Sequence, residues 1–307
     1  QAPVLVMGGI FPNEAKDLIR YKLSSTIYDE KQLDALGREA VRFNETVSVH
    51  LKIDTGMSRL GVTPENLPRL VEQVVQDKNI SLDGLCTHLS SADEADEAYT
   101  LSQLDQLENA LSKMQKAGYP IPPVHCANSA AILHYSKSWR DIVRPGLLLY
   151  GALPAPYLKS YAKAFTGDSK QGFQPVMQLK SKIIQIKRHS KGTPISYGRN
   201  HILKRDSVIA TIPLGYADGL TRHLSNKMEV LVRDRRAPQV GAICMDMCLT
   251  DVTEITDVEL EDEVVIFGRQ GGAFIPVEEV ADRIGLIPYE TLCAVGKRIP
   301  RKYIGQE

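Results

Sequence analysis

A lysine, an aspartate and an arginine crowd into the short stretch HLKIDTGMSRLGV, His50 to Val62. In an extended segment, side chains two apart share one side, so Lys52 and Asp54 face the same way. A Thr55-Gly56 turn follows, with Arg59 just beyond. Such a grouping is either a solvated strand end with an ion pair or the rim of a site. Other stretches also place reactive types at junctions. HCANSAA puts Asn128 and Ser129 after a strand pattern and at the start of a helical one. Serine there is a helix cap, or it joins backbone N–H groups in holding phosphate. RPGLLLYG sets Gly146 behind Arg144-Pro145, where bare backbone can approach an anion. PISYGRN and PLGYADGLTR each seat a tyrosine beside glycine, a pattern that serves packing as readily as chemistry. AICMDMC reads as a short β run with Asp246 inside it, and its Cys244 and Cys248 lack the further ligands a metal needs.

The elements that carry these residues alternate. PVLVMGG, STIYD, VSVHLKID, LDGLCTHL, PPVHC and DIVRPG read as strands, with helical patterns between them. Leu67, Leu70, Val71 and Val74 share one helix face, and Leu101, Leu104, Leu107, Leu111 and Met114 share another. A short helix is expected near residues 129–133. Six βα-type units imply a parallel sheet, doubly wound or closed as a barrel. Lys52, Asp54, His88, His125 and Arg144 all fall at strand C-terminal ends, where a (β/α)8 barrel keeps its site. Six units do not close eight strands, so about 60–80 residues are expected ahead of Gln1, since a whole barrel takes roughly 250. Past GDSKQGFQP the runs become β-type, with only PVEEVADRIG helical. The expected division is 1–171, a partial (β/α) barrel, and 172–307, a β-rich domain.

Composition narrows the function. The 307 residues carry 37 basic and 37 acidic side chains, with no basic block, which argues against nucleic acid as a partner. No apolar run reaches the roughly 18–20 residues that span a bilayer, so no membrane partner is expected. Five scattered cysteines without a C-x-x-C indicate neither a disulfide framework nor a metal site, and fit a reduced, cytoplasmic protein.

Taken together, LKIDTGMSRLGV, THLSSADE, HCANSAA, RPGLLLYG, ISYGR, PLGYADGL, AICMDM, YET and RIPR resemble the alanine racemases, collinearly and over nearly the whole chain. The resemblance implies a pyridoxal 5'-phosphate enzyme of fold type III that interconverts L- and D-alanine for cell-wall peptidoglycan, as a homodimer sharing its site across the interface. By position, Tyr197 matches a catalytic base supplied by the partner subunit. Arg59 matches the arginine for the substrate carboxylate, and Lys52 a lysine often carbamylated to orient it. Arg144 matches the arginine facing the pyridine nitrogen, and His88 the histidine touching the ring and that arginine. Ser129, Gly146, Leu147 and Tyr289, beside Asn128, match the phosphate cradle. Met245 matches a backbone donor to the substrate carboxylate, and Tyr216 a tyrosine lining the entry. An arginine stays charged, so it cannot hand the ring nitrogen a proton, which favours reprotonation at Cα.

One departure stands out. The family's Schiff-base lysine lies in a K-A-N-A-Y-G-H-G-like motif that does not occur here. The expectation is therefore a chain lacking its first two βα units and inactive alone. A serine or broad-specificity racemase of the same fold, and a non-catalytic assembly fragment, are the alternatives.

Overall fold

Apolar runs a few residues long, separated by amphipathic helical patterns, fold into parallel strands because each crossover helix returns the chain to the same edge. In the computed structural model, which describes residues 2–167 and 172–305, five such strands form one sheet in sequence order. They are β1 (Leu5–Val6), β2 (Ser24–Ile27), β3 (Val47–Lys52), β4 (Ile80–Cys86) and β5 (Val124–His125). Helices α1 (Ala15–Arg20), α2 (Glu30–Phe43), α3 (Leu67–Gln76), α4 (Ala98–Lys116), α5 (Ser129–His134) and α6 (Lys159–Thr166) accompany them. This parallel half-barrel is one of two compact units, Gln1–Gly146 with Ala155–Asp168; the other is Leu147–Pro154 with Ser169–Glu307.

Local sequence explains the elements that matter to the site. Val47, Val49 and Leu51 alternate inward along β3, and the run ends on a buried Lys52. Asp29 caps α2 by accepting from the Gln32 N–H at 2.8 Å, and Asn44 closes it in the left-handed region at φ 53°. On α3 the expected stripe of Leu67, Leu70, Val71 and Val74 is buried.

Two expectations need correction. DIVRPG is not a sixth strand. To other backbone it bonds only from Asp141 N–H to Val124 O (3.1 Å) and from Arg144 N–H to Ala127 O (3.0 Å) among the described residues. Pro145 has no N–H to continue a ladder, and the Asp141 carboxylate takes the Val124 N–H at 2.8 Å. The partial barrel therefore has five paired strands, not six. On α4 the buried face includes Thr100 and Gln103 beside Leu104, Leu107, Leu111 and Met114, while Leu101 is 44% exposed. Polar Gln103 displaces the leucine because its amide finds partners inside, described below.

The second unit is antiparallel β. A three-stranded sheet runs β13-β10-β7, made of β13 (Cys248–Asp251), β10 (Ser207–Ile212) and β7 (Gln185–His189). A second sheet runs β12-β11-β14-β15, with β6 (Leu179–Lys182) also paired to β14 (Glu263–Gln270). β11 (Glu229–Val232) turns into β12 (Arg235–Pro238) through Arg233-Asp234, both at positive φ, as a tight two-residue hairpin demands. β8 (Pro194–Ile195) and β9 (His201–Ile202) form a small hairpin, and β15 spans Ala273–Ile275. The unit's core gathers Leu147, Ile212, Val230, Val264, Ile266 and Phe267 among others. Besides the expected helix, now α7 (Val277–Asp282), there is α8 (Pro288–Ala294), which carries Tyr289. Pro288 at its first position pre-sets the helical φ, a start signal within YET's own neighbourhood.

Gly84 in β4 marks how tightly the sheet interior packs: a Cβ there would run into the His50 ring. Gly84→Ala is expected to cost about 1–3 kcal/mol by overpacking. In urea unfolding, Gly84→Ala combined with His50→Ala should lose less than the sum of the two single changes, because the ring that clashes is gone. Strict additivity would contradict the packing.

Candidate active site

The C-terminal ends of β3, β4 and β5 and the turns after them gather cations and imidazoles that no carboxylate among the described residues pairs with. Arg144 donates from one guanidinium nitrogen to His125 Nδ1 at 2.7 Å. Its other terminal nitrogen donates to Thr87 O (2.9 Å), Cys126 O (3.2 Å) and His88 Nδ1 (3.3 Å). Both imidazoles accept at Nδ1, so each is neutral with its proton on Nε2. His125 Nε2 lies 2.9 Å from His50 Nδ1, which that tautomer lets it donate to. Burial, and then the Arg144 charge, push His88 down to about 4 and His125 down to about 3. Burial also lowers His50.

Lys52 is 5% exposed, one strand away from these groups. Burial pulls its pKa below the usual lysine value; Cys86 and, least, Asp54 oppose this, while Arg144 and Arg59 add to it. Among the described residues no carboxylate forms a salt bridge with Lys52, Arg59 or Arg144. Asp54 is engaged elsewhere: its Oδ1 accepts from the N–H groups of Gly56 and Ser58, both at 3.0 Å. The ion pair that would have made this stretch an ordinary strand end is therefore not the arrangement found. Instead Asp54 shapes the turn, Val62 bridges back beside Ile53, and Arg59 is left exposed beyond it. Gly61, at φ 129°, is needed because a Cβ would press on the Asp54 N–H.

Two residues that the sequence did not single out brace these turns from α4. Gln103 Nε2 donates to His88 O (3.1 Å) and reaches Thr55 Oγ1 (3.4 Å), while its Oε1 accepts from Ser90 N–H (2.9 Å). The Tyr99 hydroxyl donates to Gly56 O at 2.7 Å. Thr55 and Thr87 close the gap, hydroxyl to hydroxyl, at 2.7 Å. Next along the sheet, Ser129 Oγ accepts from Gly146 N–H at 2.9 Å. Asn128 serves as the helix cap, Oδ1 accepting from Ala131 N–H (3.0 Å), and its Nδ2 donates to Leu89 O (3.2 Å). Arg59, Lys52, His88, Asn128, Ser129, Arg144 and Gly146 thus belong to one strand-end assembly. Leu147 does not join it by its side chain, which is 1% exposed and packed in the second unit's core.

The other expected residues sit on a frame within the second unit. Tyr216 N–H and Ala217 N–H donate to Cys244 O and Met245 O, each at 3.0 Å. A Cβ on Gly215 would collide with those same two carbonyls. Asp246 lies in a turn rather than a strand; β13 begins at Cys248, and Arg298 holds the Asp246 carboxylate at 2.7 Å and reaches Asp218 at 3.4 Å. Gly296 N–H donates to Asp218 O at 3.0 Å, which links the end of α8 to the same frame. Tyr197 follows Ser196, whose backbone sits at φ 61°, ψ −172°. That region is almost reserved for glycine and costs on the order of 1–3 kcal/mol for other residues. Ser196 Oγ donates to Ala242 O at 2.6 Å. Tyr197 projects from this turn 73% exposed, with Met245 at 53%, Tyr216 at 41% and Tyr289 at 39%. Arg298 opens the RIPR stretch but is given no role there, and Gln103 offers only a polar residue on a helix face, which is too common to single out.

Comparison with known proteins agrees with this architecture. Residues 1–154 match the family model for the alanine racemase N-terminal domain, and residues 176–303 match that for the alanine racemase C-terminal domain. The alanine racemase of Halothermothrix orenii is 41% identical over 301 residues, 98% of this chain and 77% of the relative. That of Desulfovibrio desulfuricans is 40% identical over 302 residues, 98% and 78% of the two chains. A crystal structure of alanine racemase from Bacillus anthracis with bound L-Ala-P superposes with a TM-score of 0.88 at 30% identity, over 99% of this chain and 76% of that one. A parallel half-barrel with a β-rich unit and these relatives define an isomerase of the amino-acid racemase class. The family within that class is the alanine racemases, and this chain belongs to it. These matches do not bear out the expectation of an inactive remnant; the chain spans 77% and 78% of those two relatives' lengths. No helix among the described residues is long and apolar enough to cross a membrane.

The histidine shifts carry a sign that stability can report. Each of His88 and His125 is neutral when folded and takes up a proton near pH 6.5 when unfolded, so unfolding binds protons between about pH 4 and 6.5. Stability is then whole above pH 6.5 and falls as the pH drops toward 4. Urea midpoints measured across pH 5–8 should show it, and His125→Asn, which keeps an acceptor for Arg144, should flatten the slope by about one proton. A stability flat below pH 6.5 would contradict the neutral imidazoles.

Proposed function

We propose that this protein is a pyridoxal-phosphate-dependent alanine racemase, with its cofactor on residues of a domain spanning 1–171 and a β-rich domain spanning 172–307. The observation that carries this reading is the strand-end group of Lys52, Arg59 and Arg144, which no described carboxylate neutralises by salt bridge. Such a set fits a ligand with both a phosphate and a carboxylate, and pyridoxal phosphate joined to an amino acid has both. Bound pyridoxal phosphate supplies the electron sink that makes the Cα–H acidic.

The chain's residues divide the remaining work. Ser129, Asn128, Leu147 and the Gly146 backbone would hold the phosphate, and Tyr289 of the β-rich domain would add a hydroxyl to it. Arg144 and His88 fix the ring end, and Arg144 keeps its protons because a guanidinium does not release them near neutrality. No proton therefore passes from it to the ring nitrogen it faces, and the protein returns one at Cα instead. Arg59 binds the substrate carboxylate. Lys52, its charged form disfavoured by burial, is available as a free amine to take up carbon dioxide; the resulting carbamate orients Arg59. Racemisation needs a proton-handling group on each face of Cα, and Tyr197 is one of them. The exposure of Tyr197 and Met245 on the second unit suits action across a homodimer interface, with Met245 N–H on the carboxylate, and Tyr216 lines the entry. The product, D-alanine, serves cell-wall synthesis in the cytoplasm.

The test is turnover of L-alanine, L-serine and L-lysine by the protein supplied with pyridoxal phosphate, read by chiral chromatography. D-Alanine is expected to dominate; faster turnover of L-serine would shift the reading to a serine or broad-specificity racemase. Binding of 13C-bicarbonate should give a carbamate NMR signal that Lys52→Arg removes. A signal that persists in that variant would take Lys52 out of this role.

A further inference from the structure

Two features of the turn before Tyr197 demand a reason. Ser196 occupies a backbone region that glycine fills without strain, yet the residue there is serine. Beyond Tyr197, Gly198 takes φ 71° without strain, but Arg199 at φ 51° is again a side-chain-bearing residue in the left-handed region. A serine kept in such a place is held there by its surroundings. The holding contact is the Oγ–H donated to Ala242 O at 2.6 Å, with Cys244 Sγ 3.6 Å from the same oxygen. Gly241 makes room for it, since a Cβ at that position would lie 2.7 Å from the Ser196 Cβ. Ala242 and Cys244 are the residues on either side of Ile243 that lead into Met245, and Cys244 O is the acceptor for Tyr216 N–H. One hydroxyl therefore ties the tyrosine turn to the segment that carries Met245 and accepts the Tyr216 N–H.

We propose that Ser196 is a positioning residue for Tyr197: its hydroxyl, bonded to Ala242 O, fixes the strained turn that aims the Tyr197 phenol away from its own unit. This rests on the reading of Tyr197 as a proton-handling group. Among the described residues no hydrogen bond holds that phenol itself, and Tyr197 is 73% exposed. The backbone leaving Ser196 sets its direction, and a rotation there swings the hydroxyl by the length of the side chain. Misplacement by about 1 Å is enough to cost on the order of 10²-fold in rate.

The pair Ser196→Gly and Ser196→Ala separates positioning from mere stability. Glycine removes the hydroxyl and the strain together, so its melting temperature should stay within a degree or two of wild type, while alanine keeps the strain, loses the bond and should melt roughly 2–4 °C lower. Both variants, as holoenzymes, are expected to lose about 10–100-fold in kcat for L-alanine with KM changed less than about threefold, because Ser196 touches no substrate. Amide hydrogen exchange in the peptide covering 195–199 should quicken in Ser196→Gly and stay unchanged elsewhere. Tyr197→Phe is the control for the underlying reading. If Tyr197→Phe abolishes turnover and Ser196→Gly keeps wild-type kcat, the positioning role is wrong and the reading of Tyr197 stands. If Tyr197→Phe turns over normally, both fall.

Discussion

The guanidinium of Arg144 is the interaction on which the first unit's chemistry depends. It is half-buried, yet among the described residues its partners are all neutral: two imidazole nitrogens and two carbonyl oxygens. A buried cation is normally matched by a carboxylate, because desolvating an unmatched charge is costly. Here the compensation is a set of aimed dipoles, which leaves the positive field directed outward. Burial first, and that field after it, keeps His88 and His125 unprotonated and lowers Lys52. A carboxylate in place of either histidine would satisfy Arg144 better and would cancel the attraction for an anionic ligand. The arrangement gives up stability for a vacancy in charge, as a site does.

The second unit solves a different problem. It must hold exposed side chains in fixed directions without burying them. Its means are close backbone approaches that only glycine permits, at Gly215, Gly219 and Gly241, and hydrogen bonds that join turns distant in sequence. Arg298 reaching Asp218 and Asp246 adds charge to that frame at its rim, where each pair alone is worth little but the shared cation links two turns. Rigidity around a mobile-looking aromatic is what a group that must act at one atom requires.

Much of this was legible in the chain itself, and the failures have physical causes. Period-two and period-three-to-four patterns located β2, β3, β4, α3 and α7, since a half-buried element must repeat with its own geometry. The strand ends at Lys52, His88 and His125 were visible as polar residues closing apolar runs. The sixth strand was not real because Pro145 and the Asp141 side chain interrupt the ladder, effects that hydrophobicity does not register. Leu101 was misplaced because Gln103 is satisfied by partners from β-strand turns remote in sequence. α8 escaped because its seven residues bury almost nothing, leaving no apolar stripe to read. His50 and His125 fell together only through sheet pairing that joins positions 75 residues apart.

The central claim is that Arg144 is held by neutral histidines rather than by acids. Ring nitrogen chemical shifts of 15N-histidine, assigned by His88→Asn and His125→Asn, measure that state directly across a pH titration. The account predicts that both rings carry their proton on Nε2 at neutral pH and resist a second until well below pH 5, toward the values of about 4 and about 3. Protonation of either ring near the ordinary 6.5, or an Nδ1–H tautomer at His125, would contradict it.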